Sequence, residues 1–171
     1  MARAGSGDAR AFRSLWDRHG ASLYGFILRQ VRRPAIAQEL LQETFLRAYR
    51  GAARYQPRAS LSTWLFRIAV NLCSNHAEAA SSRHELLCEP PDSADQRPGP
   101  AEDLEQAELC VAVEAAIAAL PPQQRAAVQL ARFEEMSYSE IAEVLEVSVA
   151  AVDGLLQRAR QSLRNHLQHF A

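Results

Sequence analysis

The chain contains no lysine: all 19 of its basic residues are arginine, set against 20 acidic ones. It also lacks any apolar run approaching the roughly 20 residues that a membrane-spanning helix requires, so no membrane insertion is expected. Cysteine is scarce and unpaired in pattern. Cys73, Cys88 and Cys110 are an odd number with no CxxC spacing, which argues against a disulfide framework. No apolar secretory segment opens the chain, and with these cysteines the expectation is a reducing, cytoplasmic setting. Glycine contributes only 7 of 171 residues while apolar residues make up 48%; this Ala- and Leu-rich composition favours helices and gives strands little support. Also missing are a nucleophile beside a base and a glycine-rich phosphate loop. Cys73 and His76 have ligand-like spacing, with His84 and Cys88 further on, but a lone cluster without CxxC ranks below ordinary helix or loop positions as a zinc site. No enzyme activity, metal or cofactor is expected.

What is present is an uneven distribution of charge. Residues 1–85 hold 13 Arg and 6 acids, a net of +7; residues 86–108 hold one Arg, Arg97, and 7 acids, a net of −6. The rest carries 5 Arg and 7 acids. The overall charge of −1 therefore conceals a basic first half. Arginine pairs bidentately with phosphate and displaces counterions on binding, so a polyanion is the natural partner. The ordinary alternative is a solvated arginine-rich surface.

Apolar periodicity divides the chain into helices. Phe12, Leu15, Trp16, Leu23, Tyr24, Ile27 and Leu28 recur at helical spacing after a frayed start. Pro34 suits a first helical turn, and Ile36, Leu40, Leu41, Phe45 and Tyr49 mark a second helix ending near Gly51. Ser60 is a candidate N-cap for a third, with Leu61, Trp64, Leu65, Ile68, Ala69 and Leu72 as its apolar stripe. The stretch EPPDSADQRPGPAED, residues 89–103, holds four prolines among acids and small residues and reads as a flexible tether. Helical pattern resumes from Leu104 to Ala119, breaks at Leu120-Pro121-Pro122, and continues from Gln123 to Phe133.

The last segment is the most specific. Ser137 and Glu140 form a capping box for a helix from Tyr138 to Leu145. After Glu146 and Val147, Ser148 caps a second helix, with Val149, Val152, Leu156, Ala159 and Leu163 facing inward. Helix, tight turn and helix make a helix-turn-helix over 138–167, whose second helix offers its N-terminal residues to the major groove. Simple bundle packing produces the same pattern. The fold expected is all-α: two small helical modules joined by a flexible linker, the C-terminal one a four-helix helix-turn-helix domain. The boundaries are 9–85, 86–103 and 104–171.

Several ordered motifs together resemble one family. QELLQETFLRAYR (Gln38 to Arg50) resembles region 2.2 of the sigma-70 family, and STWLFRIAVN (Ser62 to Asn71) resembles regions 2.3 and 2.4. ALPPQQR (Ala119 to Arg125), SYSEIA (Ser137 to Ala142) and Arg158-Ala-Arg160 resemble region 4. The chain is similar to the extracytoplasmic-function group over Phe12 to Leu167. That resemblance implies a bacterial factor that binds core RNA polymerase and directs promoter-specific initiation. Glu39, Leu40, Gln42, Glu43 and Arg47 would then dock on the β′ clamp helices, with Leu41 adding apolar contact and the second module reaching the β flap. Asn71 and Asn75, four apart and so on one helical face, would read unstacked bases of the −10 element. Arg54, Arg58 and Arg67 would hold its phosphates. Ser148, Ala150, Ala151, Asp153, Gly154, Gln157, Arg158 and Arg160 would address the −35 duplex. An anti-sigma factor would hold the modules together and mask both surfaces.

Two segments depart from the family pattern. Early in the last helix, where a Thr, a basic residue, Ser and Arg are common, this chain has Ala151, Asp153, Gly154 and Leu155. An Asp repels phosphate, although its carboxylate can accept from cytosine N4. After Asn75, where relatives turn basic, stands Ala77-Glu-Ala-Ala-Ser-Ser-Arg83. Two other functions fit the residues: a helix-turn-helix regulator that binds operator duplex without polymerase, and a sigma-like interaction protein that has lost promoter activity.

Overall fold

The computed structural model describes residues 9–52, 60–84 and 104–168. Arg54, Arg58, Cys88 and the acidic tether lie outside the described residues. Seven helices occupy the described residues, running α1 (Ala9–Val31), α2 (Pro34–Gly51), α3 (Leu61–His84), α4 (Leu104–Ala118), α5 (Pro122–Arg132), α6 (Tyr138–Leu145) and α7 (Val149–Leu167).

The first three helices wrap one another through positions three and four apart. Leu23, Phe26 and Ile27 of α1 are fully enclosed, as are Leu65, Phe66 and Ala69 of α3. Phe26 meets Phe66 edge to face, with ring centroids 5.4 Å apart. Between α1 and α2, Arg32 takes a left-handed conformation with φ 56°, and its N–H donates to Leu28 O at 2.7 Å. Pro34 opens α2, where an absent N–H costs nothing. The buried face of α2 is Ala37, Leu41, Thr44, Phe45 and Ala48. This corrects the sequence-based stripe. Tyr49 is 47% exposed, Ile36 and Leu40 are half-buried, and small residues take their places because α2 approaches its neighbours closely. Thr44 satisfies its buried hydroxyl by donating to Leu40 O at 2.7 Å. Trp16 is partly exposed, yet its ring lies 4.6 Å from that of Phe45. Ser60 caps α3, its hydroxyl accepting from the Thr63 N–H at 3.1 Å.

In the second module local signals act as expected. Glu135 adopts φ 52° after α5, and the Met136 N–H closes that turn on Leu130 O. Ser137 and Glu140 exchange both capping-box bonds. Glu146 is left-handed at φ 56°, and the Val147 N–H donates to Ala142 O at 3.0 Å, ending α6. Ser148 caps α7 by accepting from the Ala151 N–H at 3.1 Å. Val149 is not inward as the periodicity suggested: it is 48% exposed, while Val152, Leu155, Leu156 and Ala159 are buried. Position 149 lies in the first helical turn, ahead of the face that meets α6.

The Glu140 carboxyl is held below its ordinary value, first by the Ser137 backbone N–H and then by the Ser137 hydroxyl. A lowered carboxylate value means that this stabilisation is complete above the unfolded value and is lost as pH falls through the folded one. Ser137→Ala should therefore cost about 1 kcal/mol at neutral pH. Urea unfolding followed by circular dichroism should show the gap narrowing in acid; a gap that stays constant with pH would exclude the capping box as its source.

The modules do not stand apart. One apolar cluster runs from Leu23, Phe45 and Phe66 to Leu130, Ile141 and Val152. Helix α6 lies along α3, and α5 touches α1. Burial of Cys73 at the centre of this cluster pushes its thiol up to about 12, the positive charge of Arg125 opposing only part of that shift. At neutral pH the thiol stays protonated, and Cys73 packs as a small apolar side chain of the core.

Candidate nucleic-acid interface

Three side chains of the basic module fall on one stripe of α3. Arg67, Asn71 and Asn75 are spaced by four, and both asparagines are exposed while Ala69, Leu72 and Cys73 point into the core. The core stripe of α3 therefore forces the amides outward. Amides present donors and acceptors together, as base edges require. Arg67 is less free than its position suggests, since its Nη1 lies 3.9 Å from Glu146 Oε1 in the turn between α6 and α7. Trp64 is half-buried against the core, and a Cβ at Gly51 would come within 3.2 Å of its ring. Glycine at 51 thus admits the indole, and Trp64 acts as the wedge between α2 and α3.

The outer face of α2 forms a second surface. Glu39, Gln42 and Arg47 are exposed, Glu43 and Leu40 are half-buried, and Arg47 Nε donates to Glu43 Oε1 at 2.7 Å. Leu41 is buried and so cannot supply the apolar contact expected of it, while Leu40 packs half-buried against the core and offers only its outer part. The large apolar side chains that α2 exposes are Leu46 and Tyr49, at 41% and 47%. Leu46 was legible in the sequence: it falls out of step with the buried series 37, 41, 44, 45 and 48.

The third surface is the open end of the helix-turn-helix. Ser148, Ala150, Gln157, Arg158 and Arg160 are exposed, and Ala151, Asp153 and Gly154 are half-exposed. Asp153 accepts from Gln157 Nε2 at 2.8 Å, so acid and amide are held side by side. A Cβ at Gly154 would lie 3.3 Å from Arg158 Nη1. The bare backbone at Gly154 lets the Arg158 guanidinium lie back toward the N-terminal half of α7. Leu155 is buried; its departure from the family pattern therefore concerns packing, not reading.

The sigma-70 region 2 family model matches residues 15–83, and the sigma-70 region 4 model matches residues 110–163. The RNA polymerase sigma-H factor of Pseudomonas aeruginosa is 34% identical, over 97% of this chain and 91% of its own. The chain belongs to the extracytoplasmic-function group of the sigma-70 family. It is a sigma factor that directs transcription, so the reading as a polymerase-independent operator-binding regulator is set aside. The extracytoplasmic-function sigma-E factor of Haemophilus influenzae is similar at 31% identity, over 97% and 92% of the two chains. Among solved structures, CnrH in complex with the cytosolic domain of CnrY matches with TM-score 0.74 and 27% identity, over 99% of this chain and 96% of that one. The sigma factor RpoE of Bartonella quintana, solved with the anti-sigma factor NepR, shares the fold at TM-score 0.71 and 19% identity, over 94% and 98%. No described helix of this sigma factor is long and apolar enough to cross a membrane.

Proposed function

We propose that this sigma factor divides its work over the segments 9–85 and 104–171, with 86–103 as the connection between them. The α2 face of Glu39, Leu40, Gln42, Glu43 and Arg47, extended by Leu46 and Tyr49, docks on the β′ clamp helices of core RNA polymerase in the bacterial cytoplasm. The α3 stripe then captures the unpaired −10 element, Asn71 and Asn75 reading bases and Arg67, with Arg54 and Arg58, holding phosphates. Helix α7 enters the −35 major groove while its module contacts the β flap. The factor supplies recognition, and the chemistry of RNA synthesis belongs to the polymerase. The observation that carries this reading is the stripe of exposed Asn71 and Asn75 with half-exposed Arg67 inside the segment matched by region 2.

Run-off transcription on a random promoter library, with this chain and core polymerase, tests the division and returns both promoter elements. A chain that fails to bind core even at low salt overturns it. The selected −35 element should contain a cytosine opposite Asp153. Asp153→Ala should then abolish that preference, about tenfold per site, while total output changes little, because a good base contact is worth about 1–3 kcal/mol of discrimination. An unchanged consensus would remove Asp153 from the reading set.

An anti-sigma factor is the regulator that best suits these surfaces. CnrH, which this chain resembles at 27% identity, was solved with the cytosolic domain of CnrY. A protein bound across α2 and α7 would deny polymerase and promoter at once.

A further inference from the structure

The two modules meet through a polar joint whose hub is Glu134. The left-handed turn at Glu135 ends α5 so that Phe133 and Glu134 project toward α1. Glu134, with a side chain only 10% exposed, accepts from the Ser22 hydroxyl and from Arg29 Nη2, the latter at 3.1 Å. The Arg29 guanidinium also lies 4.3 Å from the centre of the Phe133 ring, a cation–π contact. It reaches this place by folding back over Gly25, where a Cβ would stand 3.2 Å from its Nη1. Beside this hub Gln30 donates to Gln129 at 3.1 Å, and Arg125 donates to Gln30 at 3.3 Å and to Ala118 O at 2.9 Å. At the far end Arg67 faces Glu146. Every one of these contacts except Arg125 to Ala118 joins the first module to the second.

The joint is also incompletely satisfied. Gln129 is fully buried, yet among the described residues its Nε2 has no hydrogen-bond partner, and neither does the buried Nε of Arg29. Buried polar atoms without partners favour separation of the modules, because both become hydrated on opening. The charge-assisted bonds of Glu134 and the apolar packing of α6 on α3 favour closure. Because the modules are on one chain, docking is intramolecular and needs only a weak interface. Opposed contributions of this kind leave two states close in free energy.

We propose that this sigma factor closes on itself without any third chain, with Glu134 as the latch, and that the closed form is a resting state from which promoter recognition requires release. Closure places the α6–α7 turn over Arg67, the upstream end of the α3 stripe, while the outer face of α2 stays exposed. Polymerase can therefore meet the closed factor, and the −10 stripe becomes fully available only after the modules part. The functional half of this inference rests on the assignment of α3 to the −10 element; the structural half does not.

Small-angle scattering of the free full-length chain tests the structural half. The wild type should be compact. Glu134→Arg, which sets like charge against Arg29, should raise the open population about tenfold or more, the loss expected when a charged hydrogen bond is broken, and so increase the radius of gyration. The swap Arg29→Glu with Glu134→Arg should restore most of the compactness, and unchanged helical circular dichroism in all three shows that folding is intact. An extended wild type, a compact Glu134→Arg, or a swap as open as the single variant overturns the latch. Run-off transcription at limiting factor tests the functional half: Glu134→Arg should initiate about tenfold faster than wild type, and equal rates overturn the resting-state role. If neither protein supports any run-off, the promoter assignment fails while scattering still decides the latch.

Discussion

Alanine at both Asn71 and Asn75 is expected to reduce run-off transcription about a hundredfold while leaving binding to core polymerase unchanged. Both amides are exposed on α3, outside the buried stripe of Leu65, Ala69 and Leu72, so their removal leaves no cavity and should hardly change stability. A side chain that reads a base edge contributes about 1–3 kcal/mol to discrimination, and two such contacts compound toward a factor of a hundred. The proposed core-binding face is on α2, which the substitutions do not touch. The paired measurements are therefore a run-off assay and a core-binding titration. Equal loss in both would point to misfolding, and no loss in either would place −10 recognition elsewhere. Single substitutions should divide the effect unless the two amides grip one base together, in which case either alone would give most of it.

Phe26→Ala is expected to be the most destabilising single change in the basic module, at about 3–5 kcal/mol. Phe26 is wholly buried and meets Phe66 edge to face at 5.4 Å, so truncation removes both the apolar transfer contribution and an aromatic contact. The surrounding helices cannot collapse into the space, because Leu23, Ile27 and Leu65 are already fixed by their own packing. Since a stability of about 5–15 kcal/mol is usual for a domain, this change consumes a large share of it. Urea unfolding followed by the helical circular dichroism signal should show an earlier midpoint. A shift below about 1 kcal/mol would mean that α1 is not integral to this core.

The features legible in the sequence are those fixed by neighbours along the chain. Ser60, Ser137 and Ser148 each cap the helix expected of them, because a cap is decided within three residues. Pro34 opens α2 and Leu120-Pro121-Pro122 divides α4 from α5 for the same reason. Periodicity was less exact wherever small or polar residues do the packing. Thr44 and Gln129 are buried although neither is apolar, and Ala37 and Ala48 displaced Ile36 and Tyr49 from the core face. An apolar stripe marks the side of a helix that is buried on average; the closeness of the neighbouring helix selects the residues that touch it.

The charge asymmetry with which the sequence opens, arginine without lysine and concentrated in residues 1–85, acquires different meanings once the chain is folded. Arg29, Arg67 and Arg125 looked alike as basic residues. Arg29 is bound to Glu134, 105 positions away, Arg67 faces Glu146, and Arg125 is bonded to Gln30 and Ala118 O. Sequence alone determined the helices, their caps and the helix-turn-helix, because periodicity and capping are local properties of the chain. Only the tertiary structure decided that the two modules dock, and which arginines are committed to that docking, because such contacts depend on through-space proximity that no spacing along the chain encodes.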